Sequence, residues 1–81
     1  MYYTYILQSK VDKSYYIGYT SDLGSRMYEH NIGKTRSIKS KLPMELIYYE
    51  AYLTKKQAII RERQLKKNRS EKQRILERLI G

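Results

Sequence analysis

Residues 2–19, YYTYILQSKVDKSYYIGY, decide how this chain folds. Tyr2 to Gln8 is rich in Tyr, Thr, Ile and Leu, whose side chains favour a strand. Val11-Asp12-Lys13 reads as a turn and Tyr15 to Tyr19 as a returning strand, so the segment predicts a hairpin. Alternation places Tyr3, Tyr5 and Leu7 on one face of the first strand. On the second, Tyr15, Ile17 and Tyr19 share a face, with Tyr16 and Gly18 opposite. Gly18 inside a strand signals a bulge, or close approach by another backbone or a ligand. Simple core filling is an equally good account of the tyrosines.

Beyond the hairpin, Ser21 and Asp22 offer cap chemistry for a helix reaching about His30, and Asn31 and Gly33 supply its stop. Lys34 to Lys41 (KTRSIKSK) holds four basic residues, Lys34, Arg36, Lys39 and Lys41, with little apolar content. It predicts an exposed loop that Pro43 ends. Leu46 to Tyr52 reads as a third strand. Thr54 and Gln57 form the capping-box pattern of a second helix, with Leu53 and Ala58 spaced as its hydrophobic staple. Ser70 and Gln73 repeat the signature for a third helix, whose apolar face is Ile75, Leu76, Leu79 and Ile80. The order β-β-α-β-α-α is that of an α+β fold, read as one domain over residues 1–81.

The 81 residues allow one domain with a thin core. A chain of this size buries only about 60–65% of the surface its unfolded form exposes. Ten tyrosines, with no Trp or Phe, must supply much of the core's bulk, and each phenol then needs a partner or a route to water. Without cysteine there is neither a disulfide nor a thiolate metal site. No apolar run approaches the roughly 20 residues of a membrane span, and Met1 leads into the first strand rather than a targeting segment. The expectation is a soluble, cytoplasmic protein with no membrane partner. Seventeen Lys and Arg against eight Asp and Glu leave a net charge of +9. Solubility alone could use such a charge, but basicity combined with the aromatic content points to nucleic acid as partner.

Three polar residues stand where helical spacing predicts packing. On the second helix Ala58, Glu62 and Leu65 fall within one narrow arc, beside Ile59. A carboxylate there costs stability unless it is paired, protonated or bound to a cation. A salt bridge to a nearby Lys or Arg would satisfy it, and so would a metal. On the first helix Leu23, Met27 and His30 share a face with Arg26 at its edge, four residues from His30. Singly, His30 reads as a half-buried hydrogen-bonded residue and Arg26 as a solvated charge. Together they form a polar cluster at the core boundary.

With these residues in place the chain resembles the GIY-YIG nuclease domains, of the short single-domain bacterial type. Tyr3-Thr4-Tyr5 occupies the GIY position, and Tyr16-Ile17-Gly18 is the YIG triplet as written. Tyr16 lies eleven positions after Tyr5, Arg26 ten further on and His30 four beyond that, in the family's spacing. Glu62, within AIIRERQLKK, falls where the family places its metal-binding glutamate. The first two GIY positions depart from the pattern while the tyrosine is kept. Some members carry an asparagine about one helix beyond the glutamate; position 77 here is Glu, and Asn68 is nearby.

The resemblance implies a three-stranded antiparallel sheet flanked by helices, and hydrolysis of DNA, ahead of RNA, with one divalent metal. Glu62 would hold Mg²⁺ or Mn²⁺, an oxygen ligand of the kind Mg²⁺ prefers. Arg26 would stabilise phosphoryl charge. Tyr5 would act as general base with its pKa lowered by nearby cations and the metal, and Tyr16 would orient or share the proton. His30 would relay a proton, or position Tyr5 or the phosphate. Lys34, Arg36, Lys39 and Lys41 would hold the flanking backbone, giving affinity without base readout and hence structure-directed or weakly selective cleavage. Two other readings stand beside this one. They are a non-catalytic nucleic-acid-binding domain of the same fold, and a small basic accessory of RNA-protein assemblies. Oligomeric state is open.

Overall fold

The computed structural model describes residues 1–80. β1 (Tyr2–Ser9) and β2 (Tyr15–Thr20) form the expected antiparallel hairpin, with Tyr5 opposite Gly18 and Leu7 opposite Tyr16. β3 (Met44–Tyr52) pairs antiparallel with the other side of β1. The three-stranded sheet therefore runs β2-β1-β3 with β1 at its centre, and the helices flank it in an α+β fold.

The two sheet faces are covered by different parts of the chain. Ile6 and Ile17 pack with Leu65 of α2 (Lys55–Lys67) and with Ile75 and Leu76 of α3 (Arg69–Ile80). The Thr4 hydroxyl donates to the Ala58 carbonyl oxygen at 2.8 Å, fastening α2 to the central strand. On the opposite face Tyr5 and Leu7 pack with Ile38 and Met44. Tyr16 and, from α1 (Leu23–Asn31), Leu23 and Met27 border that cluster. The sheet thus separates an aliphatic cluster under α2 and α3 from a layer in which Tyr5, Tyr16 and α1 meet.

Local chemistry explains the helix ends. Asp22 caps α1 by accepting from the Ser25 N–H at 3.1 Å, and Gly33 leaves the helix at φ +88, a conformation natural to glycine. Thr54 and Gln57 complete the capping box of α2 in both directions. No staple accompanies it, because Leu53 is 80% exposed while Ala58 is buried.

Other boundaries differ from the sequence reading for identifiable reasons. α3 begins at Arg69, one residue before Ser70. The Asn68 side chain accepts from the Glu71 N–H at 3.1 Å, a cap worth about 1 kcal/mol. Ile75 and Leu76 are buried on that helix but Leu79 is 44% exposed; the Ile80 side chain lies outside the described residues. β3 starts at Met44, two residues early, because Asn31 clamps both backbone groups of Met44. The segment expected as an exposed loop contains a 3-10 helix, Arg36–Lys41, anchored by buried Ile38. Gly18 makes no bulge; the register shift lies on the β3 side of β1, between Ile6 and Leu7.

Candidate active site

A glycine explains how Tyr5 is seated. A Cβ built on Gly18 would lie 2.5 Å from the Tyr5 hydroxyl oxygen and 2.8 Å from Tyr5 Cζ. The close approach signalled by Gly18 is therefore that of the Tyr5 ring across the hairpin. Tyr16 lies beside it, ring centroids 6.5 Å apart, and the His30 ring meets both tyrosines near edge-on, at 5.8 Å from Tyr5 and 5.2 Å from Tyr16. Tyr5 and His30 are buried, and Tyr16 is the phenol of the group that reaches solvent.

His30 is fully buried rather than half-buried, and both its ring nitrogens are satisfied. Nε2 shares a hydrogen bond with the Tyr5 hydroxyl at 2.8 Å, and Nδ1 shares one with Thr35 Oγ1 at 2.6 Å. Burial, with the Arg26 charge acting in the same direction, holds the His30 pKa below its ordinary value. A neutral imidazole has one donor and one acceptor nitrogen, so one of its two partners must donate and the other accept. Thr35 escaped the sequence reading. Its only signal was a hydroxyl five residues after His30, in a stretch noticed for its charge.

The Tyr5 phenol does not have the lowered pKa that a simple phenolate base requires. Burial pushes it up to about 12; Arg26 opposes this, while Tyr16 and Glu62 add to it. Desolvation outweighs the nearby cation. The same balance places Arg26 and Glu62 within electrostatic reach of the phenol, from α1 and α2 respectively. Arg26 is part-exposed and ion-paired to Glu29 at 3.3 Å.

Glu62 stands inward as the helical spacing requires. Its side chain is 17% exposed, and the Lys66 ammonium lies 3.5 Å away and is itself 53% exposed. A partner so solvated neutralises little of the cost of an inward carboxylate. Among the described residues no group of three or more His, Asp or Glu side chains could enclose a metal. A lone carboxylate nevertheless suits Mg²⁺, which keeps several waters and commonly binds through one or two carboxylates plus substrate phosphate. The donor set fits a metal shared with substrate, and not an all-protein cage.

Of the four basic residues after α1, Lys34, Arg36 and Lys39 are exposed and Lys41 is half-buried. Ile38 pins their segment against the core cluster that contains Tyr5. A second polar cluster on the far face went unread. Glu50 of β3 accepts from Tyr48 and Tyr52 and from Arg61 at 2.8 and 3.1 Å, and Arg61 also donates to Glu71 at 3.0 Å. That network joins β3, α2 and α3, and its carboxylates are occupied.

Comparison with known proteins bears on this arrangement. The model of the GIY-YIG catalytic domain matches residues 1–75. A UPF0213 protein of Streptococcus pyogenes serotype M3 is 39% identical over 74 residues, which is 90% of this chain and 79% of that protein. A UPF0213 protein of Streptococcus pneumoniae serotype 4 is 41% identical over 76 residues, 91% of this chain and 76% of that protein. The solution NMR structure of a UPF0213 protein from Bacillus halodurans is similar with a TM-score of 0.58 and 31% identity, over 98% of this chain and 87% of that one.

Proposed function

The chain belongs to the GIY-YIG family, and from that premise we propose that it is a divalent-metal-dependent endonuclease that hydrolyses DNA phosphodiester bonds with structural or weak sequence selectivity. The observation that carries this reading is the hydrogen bond between the Tyr5 hydroxyl and His30 Nε2, set beside Tyr16 and within electrostatic reach of Arg26 and Glu62.

Glu62 would hold the metal, Mg²⁺ or Mn²⁺, which when bound would polarise the scissile phosphate and stabilise the leaving 3′ oxygen. Arg26 offers its planar fork to the phosphoryl oxygens. Water attacks phosphorus, the bond to the 3′ oxygen breaks, and that oxygen takes a proton from solvent water. The water proton passes to the Tyr5 oxygen while the Tyr5 proton passes to His30 Nε2. This concerted transfer suits a phenol whose own pKa is high, because free phenolate is never needed. His30 receives the proton if Nδ1–H donates to Thr35 Oγ1, so Thr35 is a positioning residue that selects the tautomer. Tyr16, the half-exposed phenol, orients the water. Lys34, Arg36, Lys39 and Lys41 grip flanking phosphates, with a salt-dependent affinity blind to sequence.

The burial of Tyr5 favours a second reading, a non-catalytic nucleic-acid-binding domain of the same fold. End-labelled single-stranded, duplex, flapped and four-way-junction DNA, incubated with Mg²⁺ or Mn²⁺, separates the two. Cleavage that disappears in Tyr5→Phe supports the nuclease. Binding to the same substrates without cleavage supports the binding domain.

A further inference from the structure

The part of the Tyr5 face that α1 leaves uncovered carries an aromatic platform. Tyr49 of β3 stands directly opposite Tyr5 of β1, so the two share a face of the sheet. Tyr5 is buried, whereas Tyr49 is 53% exposed. Tyr3, two residues before Tyr5 and on the same face, meets Tyr49 with ring centroids 5.8 Å apart at 71°. This edge-to-face contact braces the Tyr49 ring, and its 53% exposure leaves ring surface free for another π system. Ala51, opposite Tyr3, is exposed and too small to cover it.

The carboxylates of β3 lie away from this face. Glu50 lies opposite Thr4 and Glu45 opposite Gln8, so both strand carboxylates belong to the other face. Glu50 is further held there by Arg61. The chain as a whole carries +9. Adjacent strands lie about 5 Å apart and the Tyr5 hydroxyl reaches from β1 toward Gly18 of β2, so Tyr49 on β3 lies about one to two nucleotides from a phosphate held at that hydroxyl.

We propose that Tyr49, braced by Tyr3, stacks an unpaired base of single-stranded DNA next to the phosphate held at Tyr5 and Arg26. This placement of the phosphate rests on the nucleolytic reading above. Stacking accepts any base, because every base has a π face, and an intact duplex hides those faces. The preferred substrate is then a single strand or a flap, not a continuous duplex.

The test measures binding by fluorescence anisotropy with EDTA present, so that cleavage plays no part. The probes are a 12-nucleotide DNA strand, the same strand with consecutive abasic sites, its duplex, and the RNA strand of the same sequence. Tyr49→Ala should weaken binding to the intact DNA strand by roughly 5- to 150-fold, the range of one lost stacking contact. Tyr49→Phe should restore it, and the abasic strand and the duplex should not distinguish the variants. Unchanged thermal melting of Tyr49→Ala accompanies that result, since the ring is exposed. Equal binding of the intact strand by wild type and Tyr49→Ala would overturn the proposal, as would equal losses on the abasic strand. A Tyr49 dependence found only with RNA would overturn the assignment to DNA. A protein that cuts DNA with no Tyr49 dependence refutes the platform alone. One that shows the dependence yet never cuts refutes the nuclease reading and keeps the platform.

Discussion

The Tyr5 hydroxyl lies 2.8 Å from His30 Nε2, joining the central strand to the first helix through two buried polar side chains. Neither group is in its ordinary acid-base state. The phenol is pushed up to about 12 by burial, and the imidazole is held below its usual value, chiefly by burial as well. A reluctant acid thus faces a neutral imidazole across a made hydrogen bond.

The pH dependence of cleavage follows from this pair. If Tyr5 works as a neutral phenol that hands its proton to His30, single-turnover rates are level between about pH 7 and 10 and fall as His30 protonates below its ordinary pKa of about 6.5. A phenolate mechanism would instead raise the rate about tenfold per pH unit across that range. Rates taken at saturating DNA and metal distinguish the two.

Stability should respond to pH through the same histidine. The folded-state pKa is depressed, so below about pH 6.5 the unfolded chain binds more protons than the folded one, and acid favours unfolding. The stabilisation is full above the unfolded value and is lost as pH falls toward the folded one. The lowered Glu50 carboxyl adds a separate loss at lower pH, beneath the ordinary carboxylate value. Urea unfolding of wild type and His30→Gln from pH 4 to 8 should show the upper phase in wild type only.

Gly18→Ala tests the seating of Tyr5. The new methyl would sit 2.5 Å from the phenol oxygen, and the buried ring has little room to retreat. The expected cost is about 1–3 kcal/mol, the usual range for overpacking. Cleavage should fall further than stability does, because the Tyr5–His30 contact is lost in the molecules that still fold. Denaturant midpoints and single-turnover rates on the same preparation separate the effects.

Two glutamates, Glu50 of β3 and Glu62 of α2, should behave differently. Glu50→Ala leaves Arg61 paired with Glu71 but removes its second carboxylate and the acceptor of the Tyr48 and Tyr52 hydroxyls, and should cost about 1–3 kcal/mol. Glu62→Gln loses a pair with the exposed Lys66 and should change stability by less than about 1 kcal/mol. Chemical denaturation of the two variants beside wild type checks both figures.

The hairpin, its faces and the α2 capping box were legible because period-two patterning and cap chemistry are local. Gly18 was read as a bulge or as close approach by another backbone or a ligand, whereas a side chain, the Tyr5 ring, fills the space, since cross-strand register lies outside any window of sequence. The helical arc of Glu62 predicted its inward position. The 17% exposure of Glu62 and its weak pairing with Lys66 required coordinates. Thr35 and Ile38 were hidden in a segment whose lysines read as solvent-exposed; one apolar residue there was enough to fold it onto the core. Asn68 was noted only as lying near the position of the family's asparagine; its side chain caps α3. The Glu50–Arg61–Glu71 network joins three elements and had no local signal at all.

The central claim is metal-dependent strand cleavage through Glu62, and the most direct measurement is single-turnover cleavage of flapped DNA by wild type and Glu62→Gln, purified identically, with Mg²⁺ and with EDTA. Wild type should cut only with the metal. Glu62→Gln should bind the same DNA and unfold at the same denaturant concentration, yet cut at least about 100-fold more slowly. Equal, metal-indifferent cleavage by both proteins, or binding by both with no cleavage by either, would contradict the account.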